Sequence, residues 1–126
     1  MTQGSGLSGG ATLSAVWALA DAHPVLRPVL DEHLTDNDGE LLAHLVIADF
    51  VRWLVAHQEA EPGVCADVLA QLESEFAAGP DEVRGLIAVS GVEMIPDPGQ
   101  PGSELRALLG PGLASVDPWL NPSASY

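Results

Sequence analysis

Residues 40–58, ELLAHLVIADFVRWLVAHQ, are the stretch of sequence that decides the fold. On a helix at about 100° per residue, their apolar side chains cover nearly the whole circumference. The narrow strip that remains consists of Glu40, His44, Ala48 and Arg52. Because a helix that is apolar nearly all round is one that other helices cover, we predict a central, buried helix. Asp49 falls among the apolar residues, so we expect it to be partly buried and to pair with Arg52.

Helical periodicity continues on both sides of this segment, whereas the alternation typical of strands is scarce. Residues 64–78 carry one clean apolar stripe formed by Cys65, Val68, Leu69, Leu72 and Phe76. Turns rich in Pro, Gly and Asx residues separate further predicted helices over residues 12–22, 25–34, 81–94 and 103–109. These patterns predict an all-α fold, a single compact bundle of five or six short helices around a central buried helix. Stacking of helical hairpins, as in an α-solenoid, is the alternative arrangement.

The composition divides the chain into one domain and two tails. A length of 126 residues fits a single domain. Residues 1–10 are rich in Gly, Ser and Thr and show no periodicity, which predicts a disordered tail. Residues 11–120 then form the predicted helical domain, and residues 121–126 form a C-terminal tail.

Charge is the strongest signal in the composition, because 18 acidic residues face four arginines and no lysine, for a net charge of -14. Nucleic acids and anionic membrane surfaces are disfavoured partners, since both attract basic rather than acidic proteins. A basic protein partner would be drawn in by this field. A second explanation carries equal weight, namely the general enrichment of Asp and Glu in proteins of GC-rich or salt-adapted organisms.

The expected compartment follows from the single cysteine and from the charge near the N-terminus. Cys65 cannot form an internal disulfide, so nothing indicates an oxidising compartment. No basic residue precedes Arg27, and a secretory signal needs a basic region before its apolar stretch. The longest apolar run contains His44, Asp49 and Arg52, which argues against a membrane span. We expect a cytoplasmic protein with no membrane association.

No catalytic motif is recognisable in the sequence, and we assign no catalytic, cofactor-binding or metal-binding residue. Cys65 lies on an apolar stripe, where a free cysteine behaves as a small hydrophobe. His33 stands next to Asp31 and Glu32 and is expected in a solvated cluster.

One pair of residues has the spacing of metal ligands. Glu40 and His44 stand at i, i+4 on one helix face, but no second histidine shares that face. An exposed contact between the two side chains is therefore the simpler interpretation. A small helical metal- or ligand-binding enzyme that uses Glu40, His44 and Asp49 is the alternative function.

The densest charge in the chain is an acidic cluster at the corner before the central helix, formed by Asp31, Glu32, Asp36, Asp38 and Glu40. As a functional site, it would be a docking edge for a basic protein partner. As a purely structural feature, it would be a solvated turn, which is the simpler of the two interpretations. We take the five residues as the candidate partner-binding residues.

Residues 81–96, DEVRGLIAVSGVEMIP, are similar to the best-marked segment of a family of small bacterial all-α proteins. A charged start leads into an apolar helix that ends in a Ser-x-x-Glu-aliphatic pattern, here Ser90 to Ile95. The strings LDEH at residues 30–33 and GELLAH at residues 39–44 resemble the same family. The resemblance implies an all-α fold and an immunity-type or accessory role near toxin genes, with no agreed activity. We expect Glu93 of that pattern to be a core-side carboxylate bonded to a neighbouring helix.

The charge, the lack of a catalytic motif in the sequence and the resemblance together predict a non-catalytic, acidic protein-binding module. On this hypothesis the protein is an immunity-type or accessory protein. It would neutralise or regulate a basic partner, such as a toxin domain.

Overall fold

The structure is a computed structural model, and it describes the backbone of residues 3–122 and the side chains of residues 10–122. Within these ranges every regular element is helical, which confirms the predicted all-α bundle. The α-helices are α1 (Gln3–Ala22), α2 (Arg27–Asp36), α3 (Ala43–His57), α4 (Pro62–Ala78), α5 (Asp81–Ser90) and α6 (Pro111–Ser115). Short 3₁₀ turns span Pro24–Leu26, Val92–Met94 and Ser103–Leu108. Among the described helices, none is long and apolar enough to cross a lipid bilayer.

Prolines and one Asx-Gly turn set the helix boundaries. The first turns of four helical segments contain Pro24, Pro28, Pro62 and Pro111. Proline suits this position because the first N–H of a helix has no intrahelical acceptor and the ring already holds a helical φ. After α2 the chain reverses through Asp38 and Gly39, with φ of 54° and 84°. The Gly39 N–H then bonds the Leu34 carbonyl at 2.7 Å, which closes the end of α2.

The bundle is organised around α3, as the sequence predicts. This helix packs against α1, α2, α4 and α5 and buries Val46, Ile47, Phe50, Val51 and Leu54. Since α1 also contacts each of α2 to α5, the helices form a bundle and not a linear stack in which each hairpin touches only its neighbours. The stripe predicted for α4 is buried along its whole length.

The strip predicted to remain outside the apolar surface of the central helix is only partly correct, since Glu40 precedes α3 and two α3 residues have the opposite exposure. Ala48 is buried, whereas Leu45 is 52% exposed. Which side of α3 is exposed to solvent depends on the position of α2, and α2 does not cover the side that carries Leu45. The expected half-burial of Asp49 and its pairing with Arg52 are confirmed, with 2.6 Å between the two side chains.

Helix α1 begins earlier than the sequence predicts. Its backbone is helical from Gln3, although residues 1–10 are predicted as a disordered tail and the first helix only from residue 12. Its packed part contains Ala15, Val16, Leu19 and Ala20. Once that part is anchored, each further turn toward the N-terminus adds hydrogen bonds without a new nucleation cost. Residues 1 and 2 of the predicted tail, and residues 123–126 of the C-terminal tail, lie outside the described residues.

The connection after α5 runs back over the bundle through short turns. Helix α5 ends at Ser90 instead of Met94, and the chain continues through the 3₁₀ turn Val92–Met94. Gly91 lies close to the end of α5, because a Cβ there would lie 2.5 Å from the Ile87 carbonyl oxygen. The 3₁₀ turn Ser103–Leu108 is preceded by Gly102 at a φ of 94°. This turn takes the place of the helix predicted over residues 103–109.

Candidate functional site

An open groove lies between α2 and α3 and has a volume of about 570 Å³. We call it the α2–α3 groove. Its sides come from α2 and α3, which are joined by the loop over residues 37–42. Its lining consists of Val29, Glu32, His33, Asp36, Asn37, Leu45, Asp49, Arg52 and Trp53.

The groove has an apolar floor that solvent reaches. Leu45 is 52% exposed, and Val29 and Trp53 are half-buried. The Trp53 ring stacks on the ring of His57, with centroids 4.0 Å apart and planes 11° from parallel. His57 Nδ1 also lies 2.8 Å from the Trp53 carbonyl oxygen, so both rings are held in place. The floor therefore presents a fixed aromatic and aliphatic surface.

The walls of the groove carry an excess of negative charge. Glu32 and Asp36, one helical turn apart on α2, are exposed and have no ion-pair partner among the described side chains. On the α3 side, Arg52 neutralises Asp49 at 2.6 Å. Three carboxylates thus face one guanidinium group. Two carboxylates are left to attract a cation from outside.

His33 supports the groove from within and is not part of a solvated cluster, so that expectation is wrong. His33 is 4% exposed, and the Leu42 N–H donates to its Nε2 at 3.0 Å. The Asn37 amide donates to the His33 carbonyl oxygen at 2.8 Å. His33 therefore ties the loop before α3 to α2.

The structure separates the five residues of the predicted acidic cluster. Only Glu32 and Asp36 line the groove. Asp31 points to a different side of α2, where Arg27 Nε lies 3.3 Å from its carboxylate. Asp38 and Glu40 are exposed in the loop between the two helices.

The predicted contact between Glu40 and His44 is also wrong. Helix α3 begins only at Ala43, so the two residues do not share a helix face. His44 Nδ1 instead lies 2.5 Å from Ser90 Oγ on α5, and Asp49 is occupied by Arg52. The described part of the chain contains no group of three His, Cys, Asp or Glu side chains that could hold a metal ion. The metal-enzyme alternative thus gains no support from the geometry.

Sequence reasoning missed a second set of charged residues, which we call the C-terminal clamp: Glu73, Arg106 and Asp117. The fully buried carboxylate of Asp117 accepts hydrogen bonds from Arg106 Nε at 2.6 Å and from the Trp119 N–H at 3.0 Å. Arg106 also donates to the Pro96 carbonyl oxygen at 2.8 Å. The Glu73 carboxylate accepts the N–H groups of Gly112 and Leu113 at 2.7 and 2.9 Å. The clamp therefore fastens the C-terminal third of the chain to the bundle.

Two further residues singled out by the sequence lie away from the groove. Cys65 is fully buried and its pKa is raised, chiefly because burial disfavours the thiolate and also because of the negative charge of Glu61. A buried thiol of raised pKa is a poor nucleophile, in agreement with a packing role. Glu93 is exposed, so the expected core-side carboxylate bonded to a neighbouring helix is wrong.

The geometry makes the α2–α3 groove the best candidate site, since it combines open volume, exposed apolar surface and unpaired charge. Comparisons of this chain with protein-family models, with curated proteins and with solved structures found no match.

Proposed function

We propose that this protein is a non-catalytic binding protein whose α2–α3 groove holds a positively charged segment of a protein partner. The observation that carries the proposal is the groove itself, in which the unpaired carboxylates of Glu32 and Asp36 stand beside the exposed apolar floor. A groove lined by acidic and apolar side chains suits a protein segment that offers basic and aliphatic side chains together. An immunity-type or accessory protein that neutralises a basic partner would work in this way.

The overall charge supports the same function. A net charge of -14 produces a long-range field that accelerates the approach of a basic protein, with an effect that falls as salt rises. The unpaired carboxylates of the groove provide a specific site at which an attracted basic side chain can bind. Because Glu32 and Asp36 bond no other described side chain, binding a cation there breaks no internal ion pair.

The experiment is capture of partners from lysate on the immobilised protein at low and at physiological salt. The groove variant Glu32→Gln/Asp36→Asn is compared with the variant Glu59→Gln/Asp67→Asn, which removes two other exposed charges that lie outside the groove. A basic protein retained by the wild type and by the second variant, but not by the groove variant, supports the proposal. A partner that both variants lose equally, or that neither loses, contradicts the assignment to the groove.

A further inference from the structure

The aromatic face in the groove is the feature that indicates what the groove binds. The His57 ring lies nearly parallel to that of Trp53 and covers one of its faces. His57 follows Trp53 by one helical turn, whereas Asp49 and Leu45 precede it by one and two turns and line the groove. Trp53 itself is half-buried and lines the groove, so part of its indole ring is accessible from the groove.

An accessible indole ring that shares a groove with unpaired carboxylates is a favourable place for a cation. The negative face of the ring attracts a cation electrostatically, and Trp does so more strongly than Tyr or Phe. This chain already uses the same contact internally, with Arg27 5.3 Å from the Trp17 ring centroid and Arg84 4.9 Å from that of Phe76. In the part of the chain that the structure describes, no such cation lies over Trp53.

We infer that the α2–α3 groove binds an arginine side chain of the partner, with the guanidinium group against Trp53 and its N–H groups donating to Glu32 and Asp36. This inference rests on the proposed function and names the group that the groove recognises. The guanidinium is planar and weakly hydrated, so it stacks on an aromatic face while its edge binds carboxylates. The methylene stem of arginine matches the exposed surface of Leu45. Lysine is a compact, strongly hydrated charge without a planar fork, so it gains less from the indole ring and does not bind two carboxylates through one flat edge.

The test uses three short synthetic peptides that differ at one position, where they carry arginine, lysine or citrulline. Citrulline keeps the planar shape but has no charge. Binding is followed by the fluorescence of Trp53. The sequence has three tryptophans, so the Trp17→Phe/Trp119→Phe background leaves Trp53 as the only one that emits. We expect the arginine peptide to change the emission and to bind roughly tenfold more tightly than the citrulline peptide. The affinity of the lysine peptide should lie between those of the other two.

Variants of the groove then assign the preference to particular side chains, with fluorescently labelled peptides and anisotropy as the readout. Trp53→Phe should reduce the advantage of arginine over lysine, and Trp53→Leu should abolish it. The matched control is Trp119→Leu, because Trp119 is 56% exposed and lies outside the groove. Thermal unfolding of each variant shows that the binding change does not come from loss of the fold.

The two proposals fail in different ways. Equal affinity for arginine and lysine, both lost in Glu32→Gln/Asp36→Asn, overturns the arginine inference and leaves the proposed acidic binding function standing. Equal affinity for arginine and citrulline, or no binding of any peptide, also overturns the inference. If, in addition, the partner captured from lysate binds the Glu32→Gln/Asp36→Asn variant as well as it binds the wild type, the proposed function at this groove fails as well.

Discussion

The α2–α3 groove and the C-terminal clamp use the same residue types in opposite ways. In the clamp, Asp117 and Glu73 each accept two hydrogen bonds from the chain itself. In the groove, Glu32 and Asp36 are exposed and bond no other described side chain. The clamp carboxylates fasten distant segments together, and the groove carboxylates contribute nothing comparable to the fold.

The difference separates charges that the fold requires from charges that are available to a partner. A buried ion pair tolerates no loss of one member, because the other is then left charged in a medium of low dielectric constant. Exposed, unpaired carboxylates on one face repel each other weakly and can be neutralised without cost to the fold. We therefore expect substitutions in the two regions to have opposite signatures, with stability affected in one and binding in the other.

The largest expected effect is that of Asp117→Ala in the clamp. It leaves the guanidinium of Arg106, which is 9% exposed, without its counter-charge, and should lower the free energy of unfolding by about 3–5 kcal/mol. Urea unfolding measures the change, and Asp67→Ala, at an exposed position on α4, is the control. A loss below about 1 kcal/mol would show that the pair does not hold the C-terminal segment.

A second substitution tests whether His33 supports the groove structurally. His33→Phe keeps a ring but removes the acceptor of the Leu42 N–H, which should cost about 1–3 kcal/mol. Hydrogen exchange at the Leu42 amide should become faster, because the loop before α3 loses its tie to α2. The comparison variant is His57→Phe, which should leave that amide unchanged. Unaltered exchange in His33→Phe would mean that the loop is held by other contacts.

Glu73→Ala tests the other half of the clamp and should have a smaller effect than Asp117→Ala. It removes the acceptor for two N–H groups at the start of α6, a loss comparable with that of a helix cap, about 1 kcal/mol. Differential scanning calorimetry should show a lower unfolding temperature than for Glu75→Ala, a neighbouring acidic position on α4. Equal temperatures for the two variants would contradict the assignment of Glu73 as the acceptor.

The smallest effect on stability is expected in the groove, where Glu32→Gln/Asp36→Asn should change the free energy of unfolding by less than about 0.5 kcal/mol. The same variant should slow association with the captured basic partner at low salt, as measured by stopped-flow fluorescence. A decrease of more than about 1 kcal/mol in the free energy of unfolding would contradict the contrast between the groove and the clamp. An unchanged association rate would contradict the proposal that the groove binds the basic partner.

The sequence predicted the helices well where burial is periodic. The stripe of Cys65, Val68, Leu69, Leu72 and Phe76 and the central position of α3 depend only on the spacing of apolar residues along one helix. The pairing of Asp49 with Arg52 was predictable for the same reason, since both lie one turn apart on one helix. Of the candidate partner-binding residues, Glu32 and Asp36 line the groove, and the other three were grouped with them only because they are close in sequence.

Glu73 and His33 were misjudged because their roles depend on partners elsewhere in the chain. Glu73 bonds residues 39 and 40 positions later, and no local pattern distinguishes it from the exposed Asp67 on the same helix. His33 is buried because its acceptor nitrogen meets the backbone of a loop nine residues away. Such bonds are chosen by the packing of whole helices against one another.

By itself, the sequence determined that this protein is an all-α bundle around α3 with a strongly acidic composition, because helical periodicity and charge are properties of the chain read locally. Only the tertiary structure decided which carboxylates are paired and which are free, and that Leu45 and Trp53 line an open groove. The physical reason is that burial and ion pairing are set by the relative positions of helices. The sequence encodes these positions through many weak contacts spread over the whole core.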